Sequence, residues 1–176
     1  MADIERIRGL IRAIPDFPKP GIIFQDIFPI FQDPIAVESL ITHLVYHITS
    51  TINEKIDVVI GLDARGFLLG PVIALRLGAA FAPIRKKGKL PGEIVSVEYA
   101  KEYGVDTFEM EKDAMKPGQN VIVIDDLIAT GGSAAAAGIL VNSFGAKVLK
   151  YLFVIELIEL KGADVLNAPL YSVLKY

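Results

Sequence analysis

Apolar residues follow two spacings along this chain, first helical and then strand-like. Ile4, Ile7, Ile11 and Ile14, with Leu10 between them, recur every three to four positions and predict an amphipathic helix that stops at Pro15. The stretch PDFPKPGIIF holds Pro15, Pro18, Pro20 and Gly21, which cannot sustain a helix and predict an extended, turn-rich arm. Asp33 is placed to cap a further helix with Pro34 at its first position. Val37, Leu40, Ile41, Leu44, Val45 and Ile48 carry that helix to about Ile52.

From there the pattern changes. Residues 57–61 (DVVIG), 80–84, 121–124 (VIVI) and 148–155 are short apolar runs rich in β-branched residues. Helical stretches at 66–77 and 132–144 separate the first two and the last two. Such alternation predicts βαβ units on a buried, mostly parallel sheet flanked by helices, so the fold class is α/β. No repeat, low-complexity block or Ser/Gly linker interrupts the sequence, and one domain is expected over residues 1–176. Residues 86–115 are richer in charge and glycine, with weaker alternation at 94–99 and 107–111. They predict a long excursion carrying a hairpin-like pair of strands, a lid or binding loop.

Composition narrows the function. With 18 Lys+Arg against 21 Asp+Glu, the net charge of −3 is a poor match for non-specific binding to nucleic acid, which needs clustered cations. The 176 residues include no cysteine, which excludes a disulfide scaffold, a thiolate zinc site, an iron–sulfur cluster and a cysteine nucleophile, and fits a reducing compartment. The most apolar window, 66–84, is broken by Gly70, Pro71, Arg76 and Gly78 and reads as a buried helix and strand, not as a membrane span. The segment MADIERIRGL does not read as a signal peptide, so a cytoplasmic protein is expected. His43 and His47 lie four apart on a predicted helix, but HLVYH lacks the glutamate of a zinc motif and no third ligand is evident, so no metal site is read there.

The sharpest chemical signal is VIVIDDLIATGGS, residues 121–133. A buried strand delivers Asp125 and Asp126 at its C-terminal end, and Ala129, Thr130, Gly131, Gly132 and Ser133 then open a helix. Ligands of open α/β sheets bind outside the carboxyl ends of the strands. The glycines let backbone approach a ligand closely, and the helix N–H groups with the Thr130 and Ser133 hydroxyls make a neutral nest for an anion. No lysine follows the glycines and no G-x-G-x-x-G occurs, so the loop is neither a nucleotide P-loop nor a dinucleotide fingerprint. Neutral donors suit a terminal phosphomonoester, and neighbouring carboxylates suit sugar hydroxyls. Together they describe a 5-phosphoribosyl group, against the plainer reading of two turn-capping acids and a tight connector. Arg65, in the loop GLDARG at 61–66, stands at a strand end where its planar fork could grip a diphosphate, or it is simply an exposed arginine at a helix start. The run Arg85-Lys86-Lys87-Gly88-Lys89 is the one dense basic patch, either a solvated loop or a partner for a pyrophosphate leaving group.

The stretch VIVIDDLIATGG resembles the 5-phosphoribosyl-1-pyrophosphate (PRPP) binding motif of type I phosphoribosyltransferases. PDFPKPGIIFQDI, GLDARGFLLGP, IRKKGKLPG, EYG and ELIELKG stand in the order of the adenine-specific branch of that family, over nearly the full length. The resemblance implies a purine-salvage reaction, adenine + PRPP giving AMP + pyrophosphate, with Mg²⁺ bound to the PRPP. It also implies the type I fold with a small N-terminal hood and a mobile lid, in a homodimer with no nucleic-acid or membrane partner. By the same resemblance, residues 61–66 are the pyrophosphate loop, with a non-prolyl cis bond at Asp63–Ala64. Arg65, Arg85 and Lys89 then serve the pyrophosphate, Arg85 reaching towards the site of the neighbouring subunit. Glu102, next to Tyr103 on the lid, assists deprotonation of the attacking base, and Phe24 stacks on the purine with Leu157 as the opposing wall. Gln25 stands where many relatives carry arginine, which removes any contact needing a cation there. Another purine base, or a PRPP-sensing regulator that binds nucleic acid, are the competing readings.

Overall fold

The structure is a computed structural model that describes residues 2–101 and 104–176. It divides into two compact units, residues up to His47 and residues from Ile48 onward.

In the first unit, helix α1 (Ala2–Leu10) is shorter than its sequence spacing predicts, because Ile14 belongs to strand β1 (Arg12–Pro15). β1 runs antiparallel to β2 (Ile23–Asp26), with Ile14 opposite Phe24 and Arg12 opposite Asp26. The pairing is reinforced at its end: Arg12 Nη2 lies 2.5 Å from the buried Asp26 carboxylate. The other oxygen of Asp26 accepts the Phe28 N–H at 2.9 Å, which opens the short helix α2 (Phe28–Phe31). The strand pairing and the Arg12–Asp26 ion pair, fourteen residues apart in sequence, therefore prevail over the helical periodicity of Ile11 and Ile14. Helix α3 (Pro34–Thr51) starts as expected, with Asp33 Oδ1 accepting the N–H groups of Ile35 at 3.1 Å and Ala36 at 3.2 Å. Arg6 binds the second Asp33 oxygen at 2.6 Å.

The second unit is built on a seven-stranded sheet. Its elements are β3 (Val58–Leu62), α4 (Gly66–Leu77), β4 (Ala80–Lys86), β5 (Ile94–Lys101), β6 (Gly104–Glu111), β7 (Asn120–Ile128), α5 (Gly132–Ser143), β8 (Lys147–Glu156) and β9 (Leu170–Lys175). The strand order is β5-β6-β4-β3-β7-β8-β9. β4, β3, β7, β8 and β9 are mutually parallel, while β5 and β6 form the antiparallel pair expected of the excursion and β6 joins β4 antiparallel. Every residue of β3 is buried, as a central strand covered on both faces requires. β9 follows two 3₁₀ turns, Ile158–Leu160 and Gly162–Val165, and was not foreseen from the sequence.

Glycines set how closely α4 can lie on the sheet. A Cβ on Gly61 would come within 2.8 Å of the Gly66 carbonyl oxygen, and one on Gly70 would strike the Phe81 ring. The two βαβ units wind outward in opposite senses from the β3/β7 pair, β3-α4-β4 to one side and β7-α5-β8 to the other. With right-handed crossovers, α4 and α5 cover opposite faces, and the order reverses between β3 and β7.

Pairing there is unequal. β3 accompanies β7 only as far as Gly61 opposite Ile124, whereas β8 follows β7 to Ile128 opposite Glu156. The last residues of β7 form a ledge beyond the end of β3.

Candidate active site

Asp125 and Asp126 sit on that ledge, near the C-terminal end of β7 as expected, and the strand runs on two residues further because pairing with β8 continues to Ile128. Successive strand residues face opposite sides, and the two acids have different surroundings. Asp126 is 3% exposed and its Oδ2 accepts from Nε of Arg65. Asp125 Oδ1 accepts the Asp126 N–H at 2.9 Å. Burial, and then the negative charge of Asp126, push the Asp125 carboxyl well above the ordinary value of 3.8. The glycine after Arg65 makes this approach possible: a Cβ on Gly66 would stand 2.6 Å from the Ile124 carbonyl oxygen and 3.3 Å from Asp125 Oδ1.

Residues 129–133 complete the ledge. Gly131 has φ +82°, a left-handed conformation that suits glycine, and it starts α5 with no side chain capping the first turn. The N–H groups of that turn open on a cavity of about 140 Å³ lined by Leu62, Asp125, Leu127, Ile128, Phe153 and residues 129–134. Thr130 is exposed at its rim and Ser133 half-buried, its hydroxyl donating to the Tyr99 hydroxyl at 3.4 Å. An uncapped helix start with a hydroxyl on either side of two glycines is chemically an anion cradle.

The cradle rests on a residue that sequence reasoning did not assign. Gly162 of ELIELKG is buried, and a Cβ there would meet the Ala129 carbonyl and stand 3.0 Å from the Gly131 nitrogen. A Cβ on Gly131 would in turn strike the Gly162 carbonyl. The two glycines let the backbones touch, and the signal in the sequence was the lone glycine at 162.

The loop at residues 61–66 carries the expected cis bond between Asp63 and Ala64. The basic run ends β4 and enters a turn, with Arg85 half-buried and residues 86–89 exposed. Arg85 Nε donates to Asp63 Oδ2 at 3.4 Å and its Nη1 to the Lys89 carbonyl at 3.1 Å. The buried Glu109 accepts the Gly88 N–H at 2.8 Å. Lys89 is exposed beside it. Within the chain, Arg85 therefore crosses its own Asp63.

Leu157 follows β8, half-buried, and its N–H donates to the Ile128 carbonyl at 3.0 Å, on the same ledge. Phe24 and Gln25 lie on β2 of the first unit, where Phe24 meets Phe17 edge-on at 5.2 Å. Glu102 and Tyr103 fall outside the described residues. The second unit thus collects Asp63, Ala64, Arg65, Arg85, Lys89, Asp125, Asp126, residues 129–133 and Leu157 around the carboxyl ends of β3, β4, β7 and β8.

Residues 31–167 match the family model of the phosphoribosyl transferase domain. The chain belongs to the phosphoribosyltransferase family. It is 56% identical over 96% of its length to an adenine phosphoribosyltransferase of Yarrowia lipolytica, covering 93% of that protein. Adenine phosphoribosyltransferase 1 of Saccharomyces cerevisiae is 49% identical over 97% of the chain and 91% of its own length. Among solved phosphoribosyltransferases, the Saccharomyces cerevisiae enzyme complexed with D-2,5-dideoxy-2,5-imino-altritol 1,6-bisphosphate and adenine superposes with a TM-score of 0.96 at 48% identity, over 98% of this chain and 99% of that one. A Trypanosoma brucei adenine phosphoribosyltransferase complexed with AMP, pyrophosphate and ribose-5-phosphate has a TM-score of 0.89 at 26% identity, over 98% of this chain and 78% of that one. The mostly parallel sheet flanked by helices is therefore the fold of this family.

Proposed function

We infer that this chain transfers the 5-phosphoribosyl group of PRPP to adenine, giving AMP and pyrophosphate in purine salvage, and we propose a role for each group of residues. The observation that carries the reading is the uncapped start of α5 at Gly131, opening on a cavity that Asp125 also lines. A phosphate held by the first-turn N–H groups and the Thr130 and Ser133 hydroxyls leaves the attached ribose beside the two acids.

Anchoring at two ends does much of the work. The cradle holds the 5-phosphate while Arg65, Arg85, Lys89 and the backbone at Asp63 and Ala64 hold the diphosphate. The ribose ring is fixed between them with its anomeric carbon free to move towards the base. The bond to the pyrophosphate oxygen breaks as the bond to the adenine nitrogen forms, and the proton on that nitrogen passes to the Glu102 carboxylate. Asp125 and Asp126 receive the ribose hydroxyls, and their negative charge favours the cationic character of the ring in the transition state. Phe24 stacks on adenine with Leu157 opposite, and Gln25 and Tyr103 complete the substrate contacts.

Mg²⁺ enters with PRPP, as the counter-ion of its diphosphate. Among the described residues no three His, Asp or Glu side chains converge to hold an ion on their own, and Asp126 is already engaged by Arg65. When bound, the ion neutralises charge on the leaving pyrophosphate.

A cytoplasmic homodimer belongs to the same reading. Leu68, Val72 and Leu75 form an exposed apolar row on α4, with Leu75 82% exposed, and a second subunit would cover it. Among the described residues no helix is long and apolar enough to cross a membrane.

The test is to incubate the purified chain with labelled adenine, PRPP and Mg²⁺. Formation of AMP and pyrophosphate in equal amounts is expected, with hypoxanthine, guanine and xanthine as poor competitors. Failure to form AMP, or a preference for another base, overturns the assignment.

A further inference from the structure

We propose that Tyr99 is a positioning residue that ties the lid hairpin to the phosphate cradle, so that occupancy of the cradle is transmitted to the lid; this rests on the cradle reading above. Tyr99 lies on β5, directly opposite Asp106 of β6. It is 9% exposed, and its ring packs on Phe108 at 4.8 Å between centroids. The hydroxyl therefore has a fixed address. It donates to Asp106 Oδ2 at 3.4 Å and accepts from Ser133 Oγ at 3.4 Å.

The two ends of this chain of hydroxyls belong to different parts of the machinery. Ser133 is in the first turn of α5 and lines the cradle cavity. Tyr99 stands two pairs from the end of the described hairpin, Lys101 opposite Gly104, and Glu102 lies beyond it in sequence. A serine hydroxyl has one proton to give. Without phosphate, Ser133 gives it to Tyr99. A phosphate oxygen is the stronger acceptor because hydrogen bonds to an anion are roughly twice as strong as neutral ones, so binding turns the Ser133 proton into the cradle. The Ser133 oxygen is then an acceptor for the Tyr99 hydroxyl, in competition with Asp106. Phosphate binding thus changes a hydrogen bond near the outer end of the hairpin, three residues in sequence from Glu102.

The role is separable from packing, because Tyr99→Phe keeps the ring against Phe108 and removes only the hydroxyl. KM for PRPP is expected to rise about fivefold in Tyr99→Phe, the size of one net hydrogen bond, with KM for adenine unchanged. Ser133→Ala combined with Tyr99→Phe should be no worse than Ser133→Ala alone, whereas additive losses would mean that the two hydroxyls act separately and would overturn the proposal.

Hydrogen exchange with ribose 5-phosphate as the probe reads the coupling directly. In the wild-type protein, exchange should slow both at residues 130–134 and in β5 and β6. In Tyr99→Phe, slowing should persist at 130–134 and vanish from the hairpin. Cradle protection without hairpin protection in the wild type, or hairpin protection that survives in Tyr99→Phe, overturns the coupling and leaves the PRPP reading intact. Absence of protection at 130–134 in the wild type overturns the cradle itself and the coupling with it.

Discussion

Arg65 and Asp126 are joined by an ion pair that closes the gap between the loop after β3 and the ledge of β7. One member is 36% exposed at the side chain and the other 4%, so the arginine is the movable partner and the carboxylate the fixed one. The same guanidinium is proposed to hold the diphosphate, which makes it the link between leaving group and ribose.

Removal of that guanidinium should affect both folding and substrate binding. Arg65→Ala leaves Asp126 buried without its cation, and the expected loss of stability is about 1–3 kcal/mol. KM for PRPP should rise roughly ten- to a hundredfold, the equivalent of one charged hydrogen bond. Arg65→Lys should restore most of the stability and little of the PRPP affinity, since the ammonium lacks the planar fork. Urea denaturation and initial-rate kinetics together check it, and equal recovery of both by lysine would contradict the assignment.

Asp125 makes a prediction about pH. Its carboxyl is raised above 3.8 by burial and by Asp126, so between that value and its folded-state value the native chain holds a proton that the unfolded chain has lost. Stability from this group is full below about pH 3.8 and falls as pH rises through the folded-state value. Asp125→Asn carries no such charge, so its melting temperature should lose this component of the pH slope and exceed the wild-type value at neutral pH. The same variant should lose about two orders of magnitude in kcat. Thermal melts across pH, paired with rates, measure both.

Gly162 and Gly131 give a test of the platform. Gly131→Ala should cost about 1–2 kcal/mol from the left-handed backbone alone, before the clash with the Gly162 carbonyl. Gly162→Ala presses on Ala129 and Gly131 from beneath and should weaken PRPP binding although no atom of residue 162 is assigned to the substrate. Calorimetric titration with PRPP distinguishes this from a purely global loss; unchanged affinity in a folded Gly162→Ala protein would remove Gly162 from the site.

Arg85 is held by Asp63 and by the Lys89 carbonyl within its own chain. Arg85→Ala should lower PRPP affinity about tenfold in a preparation shown by sedimentation to be dimeric, as loss of one charged contact to a diphosphate requires. Unchanged affinity would return this run to the status of a surface turn.

Much of the α/β core could be read from the sequence because each parallel strand is a local β-branched run and each crossover helix has its own period. The span Gly66–Leu77 matched its expectation residue for residue, and Asp33 with Pro34 marked the start of α3. What escaped was non-local. Ile11 and Ile14 fit a helix until Asp26, twelve residues on, supplies a partner for β1. The alternation of Leu170, Ser172 and Leu174 is too short to announce β9 without β8 beside it. Motif chemistry placed the acids and the Thr-Gly-Gly-Ser turn, but their support by Gly162 and their tie to Tyr99 depend on segments roughly thirty residues away on either side.

The unequal pairing of β7 has a mechanical meaning. Beyond Ile124 its tip is a cantilever, braced edgewise by β8 and, through β8, by β9. Through backbone pairing, loads on this tip are carried into the last thirty residues of the chain, and the Arg65–Asp126 ion pair adds a side-chain tie to the loop after β3. Small molecules or mutations that loosen β9 should therefore slacken PRPP binding from a distance, and the free flank of the tip, where β3 has stopped, leaves room for the ribose position proposed above.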